Sequence, residues 1–340
     1  MRITAELPVE PGQTFVIDDF RPEDAVGVAS LFLAIYGGAY PVETYFFPER
    51  ISQENACGNS YSVVARTPRG DIIGHGALYR SSPPYTALYE QGQYLVLKPY
   101  RRTGAAHAIN RYLAEQVAPR TPLCGFFGEA VCNHTATQRA VQQIGGSEVA
   151  LEMDLMPAGA YAREGTAGRV SCVLTYKSLR DRGQAAYLPP IYRRELEYIV
   201  ADLGLEREYV FCREDLPRNR PSHIDSQIFG QAGVGRFHVL QAGSDFAQVA
   251  EELAARAEGE HAVVLQWFVN VADPWAGTAV ELLRTQGCFL GGFVPRWFDS
   301  DALLMQQVRH RPGFEDAHLL TDKAQWLLHH VRQDWERTHR

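Results

Sequence analysis

Apolar positions along this 340-residue chain recur with two periods, two residues in some stretches and about 3.6 in others, and their succession predicts the elements. Thr14 to Arg21 (TFVIDDFR) reads as a strand, and after Pro22-Glu23-Asp24 the residues Val28, Leu31, Phe32 and Ile35 fall at helical spacing. The stretch GGAYPVETYFFPE, with glycines, prolines and Tyr40, Tyr45, Phe46 and Phe47 close behind Tyr36, cannot be one regular element. It reads either as an aromatic loop lining a pocket or as plain packing. Tyr61 to Ala65 and Ile72 to Tyr79 are β-prone runs joined by RTPRGD, whose Pro68 and Gly70 supply turn chemistry for a hairpin. A third run, Ala87 to Leu97, ends at Pro99 and leads through a glycine-containing turn into a helix with Ala106, Ile109, Leu113 and Val117 on one face. A strand at Cys124 to Cys132, a polar helix at Thr135 to Ile144 closed by Gly145-Gly146, and a strand at Ala150 to Leu155 complete one α/β unit.

Small, polar and turn-rich residues follow (MPAGAYAREGTAGR, Met156 to Arg169), and new strand and helix signals begin beyond them. The expected organisation is therefore a first domain over 1–158, a linker over 159–169 and a second α/β domain over 170–340. In the second half, strands are predicted at 170–176, 237–241, 262–269, 289–294 and 302–308. Helices are predicted at 190–203, 245–257 and 276–285, with an amphipathic tail helix from about residue 322. GEAVCN…QQIGGSEVALEM and VLQWFVN…LLRTQGCFLGGFV echo one another, which suggests an internal duplication.

The composition, with 46% hydrophobic and 21% charged residues, is that of a globular chain. A net charge of -7 with interspersed signs offers no basic field for nucleic acid. The arginine pairs at 193/194 and 218/220 read as solvated faces. Six cysteines show neither a CxxC pair nor metal-like spacing to histidine, so no metal is expected. No basic segment followed by an apolar one opens the chain, and no long apolar run occurs. The expectation is a cytoplasmic protein without a membrane partner, monomer or homodimer.

One stretch carries chemistry: YLVLKPYRRTGAAHAINRYLAEQV, Tyr94 to Val117. A turn opening a helix leaves backbone N–H groups without intrahelical partners at the positive end of the helix dipole, an arrangement that suits phosphate. Gly104 with the small Ala105 and Ala106 lets a phosphate approach the main chain, and Arg101 and Arg102 add guanidinium groups that grip phosphate oxygens. The pattern R-x-x-G-x-A after a strand resembles the acyl-coenzyme A motif of the GCN5-related N-acetyltransferases (GNAT), with Arg101, Gly104 and Ala106 in its conserved places. The order of elements over residues 14 to 158 is similar to that family's as well.

The resemblance implies a GNAT-like α/β fold: a mixed, mostly antiparallel sheet flanked by helices, with a second α/β domain as a candidate degenerate copy. It also implies acetyl-coenzyme A, or another acyl-coenzyme A, as co-substrate, held by Leu95, Leu97, Arg101, Arg102, Thr103, Gly104, Ala105, Ala106 and Asn133. The implied activity is transfer of an acyl group, acetyl in the first instance, to an amine of a small molecule or peptide. No second phosphate loop is visible after residue 170, so one coenzyme site per chain is expected.

Such a transfer needs a base for the amine, stabilisation of the oxyanion and a proton for the thiolate. Glu90, eleven residues before Arg101, stands where the family's base can sit, and Glu129 is the second candidate. Either reads equally as a plain strand residue. The family's usual acid, a tyrosine four residues before the closing glycine, falls here on Val141, a departure that leaves the donor unassigned. His134 is a candidate for that role, although Asn133 or Thr135 as an ordinary N-cap is the simpler account of this turn. The PRWFDSD segment, 295–301, with two acids and aromatics, reads as a bulged hairpin with Trp297 in the core rather than as a metal or substrate site. Two further readings stand beside catalysis: a non-catalytic acyl-coenzyme A-binding or sensory module, and an interaction protein that has kept the fold without its ligand.

Overall fold

The computed structural model describes residues 1–37, 40, 42–161 and 168–339. Two compact units emerge, one formed by Met1–Ser82 with Thr86–Phe126, the other by Pro83–Tyr85 with Phe127–Arg340.

The first unit follows the expected order: β1 (Val16–Asp19), α1 (Ala25–Tyr36), α2 (Pro48–Ala56), β2 (Ser60–Arg66), β3 (Ile72–Tyr79), β4 (Leu88–Val96) and α3 (Ala105–Tyr112). Its strands lie side by side as β1-β2-β3-β4, each antiparallel to the next. The β2–β3 hairpin closes as its turn residues demand: Gly70 takes φ +87°, and its N–H donates to the Thr67 carbonyl at 2.9 Å. One face of α1 (Val28, Leu31, Phe32) packs with Ile51, Val64, Ile72 and Leu95 into the core. Each such side chain contributes about 1.5–3 kcal/mol of burial. On β3, a Cβ at Gly76 would come within 2.6 Å of Ile109, so the glycine lets α3 lie close to the sheet. Beyond Tyr112 the helix loosens into a π-helical turn, Leu113–Val117.

The aromatic stretch after α1 is largely core. Tyr45 and Phe46 are buried in a 3-10 turn, Phe32 stacks on Tyr45 at 4.5 Å, and α2, which the pattern does not predict, follows. Gly38, Ala39 and Pro41 of that stretch lie outside the described residues.

The second unit contains β5 (Gly125–Val131, from Phe127 on), α4 (Ala136–Gln143), β6 (Ser147–Met156), α5 (Ala158–Tyr161), β7 (Val170–Ser178), β8 (Gln184–Leu188), α6 (Arg193–Val200) and β9 (Arg207–Phe211). It continues through β10 (His223–Phe229), β11 (Val234–Gln241), α7 (Phe246–Gly259), β12 (Val264–Asn270), α8 (Ala276–Thr285), β13 (Phe289–Val294), β14 (Ala302–Val308) and α9 (Asp322–Thr338). Its main sheet runs β5-β7-β6-β13-β14-β12-β11-β10, and β8 pairs with β9 apart from it. From β7 across to β10 neighbouring strands are antiparallel, except β11 with β12, which are parallel. Trp297, in the turn between β13 and β14, is fully buried and stacks on Phe268 at 3.9 Å, as the bulged-hairpin reading expects.

The compact division thus falls between Phe126 and Phe127, whereas the sequence points to a linker over 159–169. Six residues of that stretch, 162–167, lie outside the described residues. The strands on either side of it, β6 and β7, are antiparallel neighbours, so the turn-rich stretch connects partners within one sheet.

Candidate functional site

Strand β4 leads through Leu97 and a 3-10 turn, Lys98–Tyr100, to the turn that opens α3. Tyr100 organises it: its carbonyl accepts from the Thr103 hydroxyl at 2.7 Å and from the Thr103 N–H at 3.3 Å. Arg102 then takes φ +70° and Gly104 φ +87°. These two left-handed residues flank Thr103, whose N–H is taken by the Tyr100 carbonyl, and bring the chain round into the start of α3. No side chain caps α3, and its first regular bond is from the Ala108 N–H to the Gly104 carbonyl. A Cβ placed on Gly104 would meet no atom within 4 Å. Ala105 is buried, while Arg101, Arg102, Thr103, Gly104 and Ala106 are exposed. Among the described residues, neither guanidinium of the pair is in an ion pair. Asn110 ties the helix to β4, its carbonyl oxygen accepting from the Tyr94 hydroxyl at 2.8 Å and from Gln91 at 3.2 Å.

Along β4 the sequence candidates lie in line. Leu95 is buried, and Leu97 continues the chain into the turn. Glu90 is half-buried near the opposite end, six residues before Val96, which on a strand is roughly 20 Å from the turn. Its carboxylate accepts a hydrogen bond from the Tyr79 hydroxyl at 2.5 Å. Tyr79 is its register partner on β3, a residue that the sequence reading does not single out. Between Glu90 and Leu95 the β3–β4 register slips by a residue, and Gln93 there has φ +57°. His75 faces that bulge from β3, one ring nitrogen 3.2 Å from the Gln93 carbonyl. Because a carbonyl only accepts, this nitrogen, Nδ1, carries the proton. Burial pushes the His75 imidazole down to about 4, so it is neutral at pH 7. Gln93 donates to the Tyr45 hydroxyl, and burial pushes the Tyr45 phenol up to about 12.

The remaining candidates belong to the second unit. Glu129 on β5 is engaged: Arg236 of β11 donates to it at 3.2 Å. Arg236 also donates to Gln266 at 2.8 Å and lies 3.6 Å from the buried Glu152, which accepts from Gln266 at 2.7 Å. Sequence reasoning could not see this partner, 107 residues away. His134 is exposed and Asn133 half-buried. Thr135, one of the two capping candidates, occupies the N-cap of α4, with no side-chain cap bond of its own. Gln138 is instead the buried anchor there, donating to the His318 carbonyl at 2.8 Å.

The turn from β11 into α7, 241–245, stands in the same sequence order as 97–104 but is filled. A Cβ on Gly243 would fall 2.0 Å from the Arg220 carbonyl oxygen. At the start of α7, the Asp245 carboxylate accepts from both the Ser222 N–H and hydroxyl at 2.8 Å, and the Ser222 hydroxyl bond holds it below its usual range. A carboxylate there competes with any phosphate.

A scan against protein-family models finds no match, and a search of curated proteins finds none either. Solved structures do match. Acetyltransferases are among them. They include the ribosomal-protein-S5-alanine acetyltransferase of Vibrio fischeri, with 14% identity and TM-score 0.37 over 52% of this chain and 97% of its own. A GCN5-related N-acetyltransferase from Kribbella flavida matches with 16% identity and TM-score 0.38, over 49% and 98%. A variant of the spermidine N-acetyltransferase of Vibrio cholerae matches with 14% identity and TM-score 0.37, over 48% and 94%. Likeness at this level says nothing of activity. Among the described residues no helix is long and apolar enough to cross a membrane, and no group of three or more His, Cys, Asp or Glu side chains could hold a metal ion.

Proposed function

We propose that the chain is an acyl-coenzyme A-dependent N-acyltransferase, acetyl-coenzyme A being the first donor to test, which transfers the acyl group directly to an amine of a small molecule or peptide. The observation that carries this reading is the open, uncapped start of α3, with Gly104 facing empty space and two exposed arginines beside it. These groups fit a pyrophosphate: backbone N–H groups and a helix dipole on one side, guanidinium charge on the other. Leu95 and Leu97, on the way from Glu90 to that turn, would line the pantetheine arm.

In the transfer, the amine nitrogen forms a bond to the acyl carbon, the carbon–sulfur bond breaks, the amine loses a proton and the thiolate gains one. Glu90, oriented by Tyr79, is the proposed acceptor of the amine proton, directly or through water. Glu129 is the weaker candidate because its carboxylate already pairs with Arg236. The repeated order of strands and helices in the second half supports a tandem arrangement in which that half is a degenerate copy, closed to coenzyme at Gly243 and Asp245.

The second reading, a binding module without turnover, is favoured by Val141 in the place of the family's acid. The two separate in one pair of measurements. Gly104→Asp adds bulk and a like charge where the phosphate would sit and is expected to abolish coenzyme binding by titration calorimetry. Unchanged affinity would remove the coenzyme reading altogether. Turnover of acetyl-coenzyme A against a panel of amines by the unaltered chain decides between catalysis and binding alone.

A further inference from the structure

The N-terminal residues cross the first unit as a strap attached at separate points. The Ile3 N–H donates to the Phe46 carbonyl at 2.8 Å, and the Leu7 N–H donates to the Ser30 hydroxyl at 2.7 Å. Further on, the Tyr100 hydroxyl donates to the Glu10 carbonyl at 2.7 Å and accepts from the Gln13 N–H at 3.2 Å. The Gln13 side chain adds bonds of 3.0 Å to Asp71 and to the Glu10 carbonyl, and Arg69 pairs with Glu10. Between these attachments the strap does not pack flush. A cavity of about 540 Å³ lies beneath it, reached by Leu7 and Val9 on one side and by Ser30, Ile72, Leu97 and Pro99 on the other.

Tyr100 belongs to both structures. Its ring is buried and meets Phe15 edge to face with the ring centres 6.4 Å apart, its hydroxyl holds the strap, and its carbonyl holds Thr103 in the phosphate turn. That turn keeps a non-glycine residue, Arg102, in the left-handed region, a conformation that persists only where its surroundings enforce it. A turn preorganised for an anion binds it more tightly than one that must be ordered on binding. We propose that Tyr100 is a positioning residue for the phosphate turn, and that residues 3–13 form a strap whose attachment to its hydroxyl sets how firmly the turn holds a coenzyme pyrophosphate. The proposal rests on the coenzyme reading above.

The test is Tyr100→Phe in the full chain, which keeps the ring and removes the hydroxyl. Affinities for coenzyme A, by calorimetry, and for acetyl-pantetheine, which lacks the phosphates, by NMR titration, are compared with those of the unaltered chain. Coenzyme A is expected to bind about three- to tenfold more weakly, the scale of one lost hydrogen bond, with acetyl-pantetheine unchanged. Equal weakening of both ligands would mean a general loosening and overturn the positioning role, as would unchanged coenzyme A affinity. Absence of coenzyme A binding by the unaltered chain sinks the coenzyme reading and the strap with it. Coenzyme A binding that ignores the hydroxyl sinks the strap alone. Should Tyr100→Phe not fold, Gln13→Ala, which detaches the strap from Asp71 while leaving Tyr100 intact, is expected to weaken coenzyme A binding in the same selective way. No change in that variant would count against the proposal.

Discussion

Gly104 and Gly243 each precede a helix that follows a strand, and their surroundings separate an open turn from a filled one. Nothing lies within 4 Å of a Cβ on the first, while the second would strike a carbonyl oxygen at 2.0 Å. Glu90→Gln is expected to lower turnover about 10²- to 10⁴-fold and flatten the acid limb of the pH–rate profile while coenzyme affinity stays nearly intact. Equal loss of binding would make Glu90 structural. Two buried histidines set a pH dependence of stability. Burial pushes both His75 and His238 from 6.5 down to about 4, the Arg236 charge adding to the effect at His238. Folded, both are neutral through that window, and unfolded chains protonate near 6.5, so the unfolded state binds more protons between about pH 4 and 6.5. Their contribution is therefore fully present above that window and is lost as pH falls through it. The urea midpoint is expected to fall between pH 7 and 4.5, and to fall less in a His75→Phe, His238→Phe double variant. Equal falls would show that other groups control the acid limb. The glycine turn that opens α3 was legible in sequence because its parts are contiguous. Tyr79 and Arg236 were not, because hairpin register and a contact 107 residues long bring them to Glu90 and Glu129.

At the scale of elements, the second unit repeats itself in reverse. The order β5-β7-β6 is followed across the sheet by β13-β14-β12, and in each set a helix follows the outer strand, α4 after β5 and α8 after β12. The two segments GEAVCN…QQIGGSEVALEM and VLQWFVN…LLRTQGCFLGGFV fall on β5-α4-β6 and β12-α8-β13. The seam is Gly292 opposite Ala150, where a Cβ on Gly292 would lie 2.3 Å from the Val149 carbonyl oxygen. Gly292→Val is expected to destabilise the chain by more than about 3 kcal/mol, read from chemical denaturation. A loss below 1 kcal/mol would show that the seam can part without cost. The sheet folds back far enough for Arg236 on β11 to reach Glu129 on β5, with five strands between them in the order. Arg236→Ala would leave Glu152 buried beside an empty space and is expected to cost about 3–5 kcal/mol. Strands such as β3, β13 and β14 are readable because they are apolar runs bounded by turn residues. β8, β10 and α2 are not: QAAYL is short and mild, HIDSQIF alternates between half-buried and exposed, and PERISQENA buries one residue, Ile51.

For the whole molecule, the proposed reading expects one coenzyme per chain, held at the start of α3, where the turn is open. With a net charge of -7 the chain as a whole repels a polyanion, so the local pair Arg101 and Arg102 and the start of α3 must supply the attraction. Binding should accordingly weaken with salt, as it does wherever phosphate contacts dominate. Titration calorimetry of the full chain with acetyl-coenzyme A, beside the same titration of Gly104→Asp, decides whether the start of α3 holds the coenzyme. The account predicts one site per chain, abolished by the substitution; two sites, no binding, or binding indifferent to Gly104→Asp would contradict it.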